Sequence, residues 1–181
     1  YACKLGPQVE QLTTHARAGM LARHARSEPR VLPEALRSTL EASLVNLWLQ
    51  QGGHADATDE DGVTLLMRAA IAGCGPEAAL LIGANANVDA RDSHGRTALI
   101  CASGRGREAE ASILVQANAS VNAVDKSGHT PLLVAAASGR SSLVALLLQA
   151  GAKREVRDPN GRSALQLAEQ HGHAAVAVLL R

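Results

Sequence analysis

Aromatic side chains are nearly missing from this chain: there is no Phe, and Trp48 and Tyr1 are each alone of their kind. A core built without them must rely on small and aliphatic residues. With 46% of the sequence hydrophobic over 181 residues, such a core is within reach of one globular domain. The scarcity also removes the stacking platforms on which single-stranded nucleic acids bind. Net charge is only +1, so no bulk field favours nucleic acid or a membrane surface. No apolar run approaches the roughly 20 residues needed to cross a bilayer, and no signal-peptide pattern is visible. Cysteine is sparse as well. Cys3, Cys74 and Cys101 are odd in number and share no spacing, which argues against a disulfide framework and for a reducing compartment, cytoplasmic or nuclear.

What the chain has instead is repetition. Residues 125–156 begin Asp-Lys-Ser-Gly-His-Thr-Pro-Leu-Leu-Val-Ala-Ala-Ala-Ser-Gly, run through the apolar segment 143–148 and close on Ala150-Gly151-Ala152. Slid by 33 residues, Gly128 falls on Gly62, Gly95 and Gly161, and Asp125 falls on Asp59, Asp92 and Asp158. Leu132, Ala135, Gly139 and Leu147 meet like residues in the same way, at Leu99, Ala102, Gly106 and Leu114 for example. A period of this length denotes a solenoid.

Each column has a physical task. Asp125 to His129 reads as a turn, with the carboxylate accepting nearby backbone N–H groups and Gly128 free to take positive φ. Thr130 caps a short helix and Pro131 occupies its first turn, where a missing N–H costs nothing. Thr64, Thr97 and Ser163 keep the capping hydroxyl. Gly139 can end this helix in a left-handed conformation, and a second helix follows over about 141–150 with Gly151 as its stop. The stop is Gly52, Asn85 or Asn118 in other copies, and Asn also visits left-handed φ. One such unit cannot bury its own apolar face, so stability must come from stacking.

A turn and two helices in 33 residues, with Thr130-Pro131-Leu132 and Gly172-His173 in place, resembles the ankyrin repeat family. The likeness implies an all-α solenoid of helix-turn-helix units joined by β-turn or hairpin fingers. Four copies are expected at 59–91, 92–124, 125–157 and 158–181, the last of them shortened. Residues 31–58 form a degenerate first copy, in which Trp48 takes the column of Leu147 and is expected in the core. Residues 1–30 fit least well and read as a helical cap or a degenerate repeat. A helix over 7–24 would place Val9, Leu12, Ala16 and Leu21 roughly on one side, followed by a basic stretch from Arg17 to Arg30. One departure stands out. The His that follows Thr-Pro-Leu in the family, and ties neighbouring turns together, is replaced by Met67, Ile100, Leu133 and Gln166, which implies a looser array. The final copy stops at Arg181 inside its second helix, so further chain or another subunit is expected to cover that end.

Little here suggests chemistry. His94 and His129 fall in neighbouring turns and His171 and His173 flank Gly172, yet no further ligands lie at zinc spacing. No nucleophile elbow or phosphate loop is present, so no catalytic, metal or cofactor residue is expected. The resemblance places partners instead in a groove lined by turn tips and the exposed side of each first helix. By column, the first full copy contributes Glu60, Asp61 and Val63, and the second contributes Arg91, Ser93, His94, Arg96 and Arg105. The third gives Lys126, Ser127, His129 and Ser138, and the last gives Arg157, Asn160, Arg162 and His171. Such a groove is acidic at one end and basic along the rest.

Two readings of it stand side by side. In one, Arg forks bind the carboxylates of an acidic partner segment. In the other these are solvated turn residues, partly neutralised by Asp89, Asp92, Asp125 and Asp158. The expected function is a non-enzymatic scaffold or adaptor that binds another protein. The alternatives are a regulatory or targeting domain of a larger enzyme, such as a ubiquitin ligase or kinase system, and a structural subunit of a large complex. Membrane binding is not expected, and the lack of aromatics and of excess charge argues against nucleic acid.

Overall fold

The computed structural model describes residues 14–27, 30–38 and 40–181. Its helices form two layers. In the inner layer α4 (Leu65–Ala72), α6 (Ala98–Arg105), α8 (Pro131–Ala137) and α10 (Ala164–Gln170) pack side by side in that order. The outer layer holds α3 (Ala42–Gln50), α5 (Gly75–Gly83), α7 (Glu108–Gln116), α9 (Ser141–Gln149) and α11 (Ala174–Leu180), again each against the next. At the start of the chain α1 (Thr14–Ser27) lies on α3, and α2 (Glu34–Ser38) connects them. The described residues form isolated bridges such as Thr58 with Thr64 and Arg157 with Ser163, and no extended strand. This is the all-α solenoid with turn fingers that the period implies.

The local signals explain why each unit folds. Thr64, Thr97, Thr130 and Ser163 each accept a hydrogen bond from the backbone N–H three residues on, and Ser163 and Gln166 complete a reciprocal capping box. Caps of this kind contribute about 1 kcal/mol each, which matters for helices too short to persist alone. Gly73 and Gly106 close α4 and α6 in the left-handed region, and Asn85 and Asn118 take φ of 61° after the second helices, as expected of those columns.

The core is a continuous seam of Leu and Ala between the layers, with Leu81, Leu114 and Leu147 fully buried in one column. Trp48 stands in that column and is fully buried too, as expected. Its extra bulk is matched elsewhere. The column of Ala86, Ala119 and Ala152 holds Gly53 in this first unit, and a Cβ there would lie 2.1 Å from Trp48 Cε2. The indole N–H donates to the His54 carbonyl at 3.1 Å, and the His24 ring lies 6.0 Å away. The N-terminal helix runs past Gly19 to Ser27. Leu21 and Ala25 are buried within it, while Val9 and Leu12 of the expected apolar side lie outside the described residues.

Neighbouring units are tied by a second set of periodic bonds. Asp56 accepts the Asn87 N–H, Asp89 the Ser120 N–H and Asn122 the Lys153 N–H, each across 31 residues. At the finger tips Ser93 N–H donates to the Asp61 carbonyl at 2.8 Å and Lys126 N–H to that of His94 at 2.9 Å. The next residue in this column is Pro159, which has no N–H to give. Where the family carries a tying His, Met67, Ile100 and Leu133 are buried in apolar packing and Gln166 caps α10, so the ties run through Asp56, Asp89, Asn122 and the finger-tip amides instead.

Among the described residues Cys101 is a buried free thiol, and Cys74 is buried at the N-cap of α5.

Candidate partner-binding groove

In every finger the Asp organises the turn. Oδ1 of Asp59, Asp92, Asp125 and Asp158 accepts the N–H groups two and four residues on, at 2.8–3.1 Å. In the second and fourth fingers the remaining oxygen is held by an Arg four residues later: Arg96 Nε donates to Asp92 at 2.7 Å and Arg162 Nε to Asp158 at 2.8 Å. In the first finger Val63 occupies that position, and Arg68 reaches Asp59 from α4 instead. In the third finger His129 Nδ1 stands 3.7 Å from Asp125.

These contacts set the charge states. Burial would raise the Asp92 carboxyl, but the Arg96 guanidinium and the Arg96 and His94 amides outweigh it and hold the group below its ordinary value. At Asp59 burial is likewise outweighed, by the Val63 amide and by Arg68. The Arg162 hydrogen bond lowers Asp158 against a smaller opposing effect of burial.

The consequence for the groove is that several of its cations are already occupied. Arg96 and Arg162 are clasped by their own turns, with the Asp side chains almost wholly buried. Arg91 donates to the Gly95 and Val124 carbonyls, Arg157 to Gly161, and Lys126 Nζ to the Ser93 carbonyl at 2.6 Å. Glu60 projects from the first finger, 89% exposed, and pairs loosely with Arg37 at 3.3 Å. Asp61 and Asn160 are exposed at turn tips, His94 is exposed beside Ser93, and His171 is exposed at the end of α10. Arg105, at the end of α6, is exposed and makes no hydrogen bond or ion pair among the described residues.

Two of the expected groove residues come together with residues that sequence reasoning did not choose. Arg96 and Arg105 border a depression of about 240 Å³ with Asp125, and its walls are Ile71, Ile100, Cys101, Gly104 and Val134. Burial pushes the Cys101 thiol up to about 11, so this sulfur is a packing atom at neutral pH. The depression exists because Gly104 stands in the column of Ile71 without a side chain; a Cβ there would meet Val134 Cγ1 at 3.2 Å. Glu60, Asp61, Arg157, Asn160 and Arg162 lie elsewhere on the fingers and His171 at the end of α10, and none of them borders it.

His173 donates to or accepts from nothing catalytic: its Nε2 meets the Ala137 carbonyl at 3.1 Å, and its ring lies beneath Gly139. No group of three His, Cys, Asp or Glu among the described residues is placed to hold a metal ion. No helix among the described residues is long and apolar enough to cross a membrane.

Stacked helix pairs and Asp-clasped fingers, with a depression on the inner face, define a solenoid of repeated units. The family model described as ankyrin repeats (3 copies) matches residues 34–125 and 110–181. That is more than half of the chain, which therefore belongs to the ankyrin repeat family. No curated protein matches it. Ankyrin repeats are generally protein–protein interaction modules, typically without catalysis of their own.

Proposed function

We propose that this chain is a non-enzymatic scaffold or adaptor module that holds an acidic segment of a partner protein along its inner face, between the fingers and the first helices. The observation that carries this reading is Arg105, an exposed guanidinium with no partner among the described residues, beside an apolar depression. Arg is well suited to the role, because its planar fork can bind a carboxylate bidentately. The other groove cations support the charge of the surface more than they supply free donors, since Arg96 and Arg162 hold the turns together. Pull-down from a cell extract with Arg105→Glu, beside Arg26→Glu on α1 as control, tests the assignment. A partner lost only with Arg105→Glu places binding on the inner face. A partner that both variants retain would move it to the outer helices.

The far end offers a second surface. Val178 is 69% exposed and Leu179 37% exposed on α11, beside a depression of about 290 Å³ that includes His173 and Arg181. Exposed apolar residues grouped in this way mark contact surfaces. Coverage by a further polypeptide segment or another subunit is the role proposed for it. Self-association that is concentration-dependent in sedimentation and abolished by Val178→Glu would identify a second copy as the cover.

A further inference from the structure

We infer that the depression between α4, α6 and α8 is a receptor for one aliphatic side chain, of leucine or isoleucine size, carried by an acidic peptide segment whose direction is fixed by Arg105 and Asp125. This rests on the inner-face reading above and goes further, in naming an anchor and a polarity. Volume comes first. A closed apolar cavity of about 150 Å³ admits benzene, so an open depression of about 240 Å³ has room for a branched four-carbon side chain. It is smaller than the 300–1,000 Å³ typical of small-molecule sites, which suits a single side chain better than a metabolite.

The walls set the chemistry of the anchor. Ile71, Ile100, Val134 and the protonated Cys101 present carbon and sulfur, and Gly104 leaves the floor open. No carboxylate or amine of a partner would be satisfied there, whereas an aliphatic group would leave water for an apolar surround.

The rim sets the rest. Arg105 is unpaired on one side. Asp125 borders the same depression from the third finger, with Oδ1 already engaged by the Ser127 and His129 amides. Arg96 lies within electrostatic reach of Asp125, but its hydrogen bonds go to Asp92, so it leaves Asp125 without a side-chain donor. A carboxylate next to the anchor is therefore attracted toward Arg105 and repelled from Asp125, so the segment binds in one direction.

Selection from a phage-displayed library of random twelve-residue peptides tests this on the intact chain. The expected result is a consensus with Leu or Ile and an Asp or Glu within about three residues on one side only. A synthetic peptide of that consensus loses at least tenfold in affinity to Gly104→Leu, which fills the depression, and to Arg105→Glu, while Arg26→Glu on α1 leaves it unchanged. Should Gly104→Leu fail to fold, Val134→Lys removes the apolar wall from a half-buried position instead. A consensus without an aliphatic residue, bound equally by Gly104→Leu but lost with Arg105→Glu, overturns the anchor and leaves the inner-face reading standing. Peptides bound equally by all four variants, or no enrichment at all, overturn both.

Discussion

At the scale of single residues, the finger aspartates carry the clearest pH signature. Asp59, Asp92 and Asp158 are held below their ordinary values, so the folded state binds protons less readily than the unfolded chain. Their contribution is fully present above the unfolded carboxyl value, near about 4, and is lost as pH falls through the lower folded value. Urea midpoints followed by circular dichroism should be flat from pH 7 to 5 and drop below about 4. Asp92→Asn should start lower and fall less steeply; a wild-type midpoint constant down to pH 2 would deny the clasps any role. Cys101 gives a second reading of the same kind. A thiol at about 11 rather than 9.0 carries ~100-fold less thiolate at pH 8, so alkylation should be slower by about that factor than in urea. Equal rates would mean the inner face is open to solvent at this sulfur.

Elements show how far the sequence could be read and where it went silent. Caps, glycine stops and Asp-centred turns were legible because each depends on groups within four residues of one another, as Thr130 with Leu133 or Asp92 with Arg96. The depression was not, because it joins Ile71, Gly104 and Val134 from three units and owes its existence to a side chain that Gly104 lacks. Read alone, a glycine inside a helix signals only reduced helix propensity. Spacing places Arg96 and Arg105 alike on the inner face, and only geometry separates the clasped one from the unpaired one.

Trp48 and Gly53 are legible only when columns are compared, and they predict a double-mutant cycle. Gly53→Ala alone drives a methyl into the indole and should cost about 1–3 kcal/mol by overpacking. In a Trp48→Leu background, which restores the Leu-with-Ala pairing of the other units, the same change should be near neutral. Additive losses in urea titrations would refute the compensation.

For the molecule as a whole, stability is a sum over units and the seams between them. The seam before the last unit lacks one finger-tip bond, because Pro159 stands where Ser93 and Lys126 donate. A net hydrogen bond is worth about 1 kcal/mol, or roughly fivefold in an opening equilibrium. Amides of α10 and α11 should therefore exchange about fivefold faster than those of α6 and α7. Uniform protection along the array would show that helix packing alone governs the seam.

The ties that span 31 residues act as a ruler on the gene. Asp89 accepts both the Ser120 N–H and its hydroxyl, and the backbone half of that tie can be met by whatever unit comes next if the count of residues is kept. Insertion or loss of a few residues breaks the count, while excision of residues 92–124 leaves Asp56 with the Asn87 N–H, presents Asp89 with the Lys153 N–H and presents Asp61 with the Lys126 amide. Such a shortened chain should fold, with a helical circular dichroism spectrum and a lower midpoint, yet it would have neither Gly104 nor Arg105. Length in this architecture is thus inherited in quanta of one unit, and specificity is written in the particular unit that is kept.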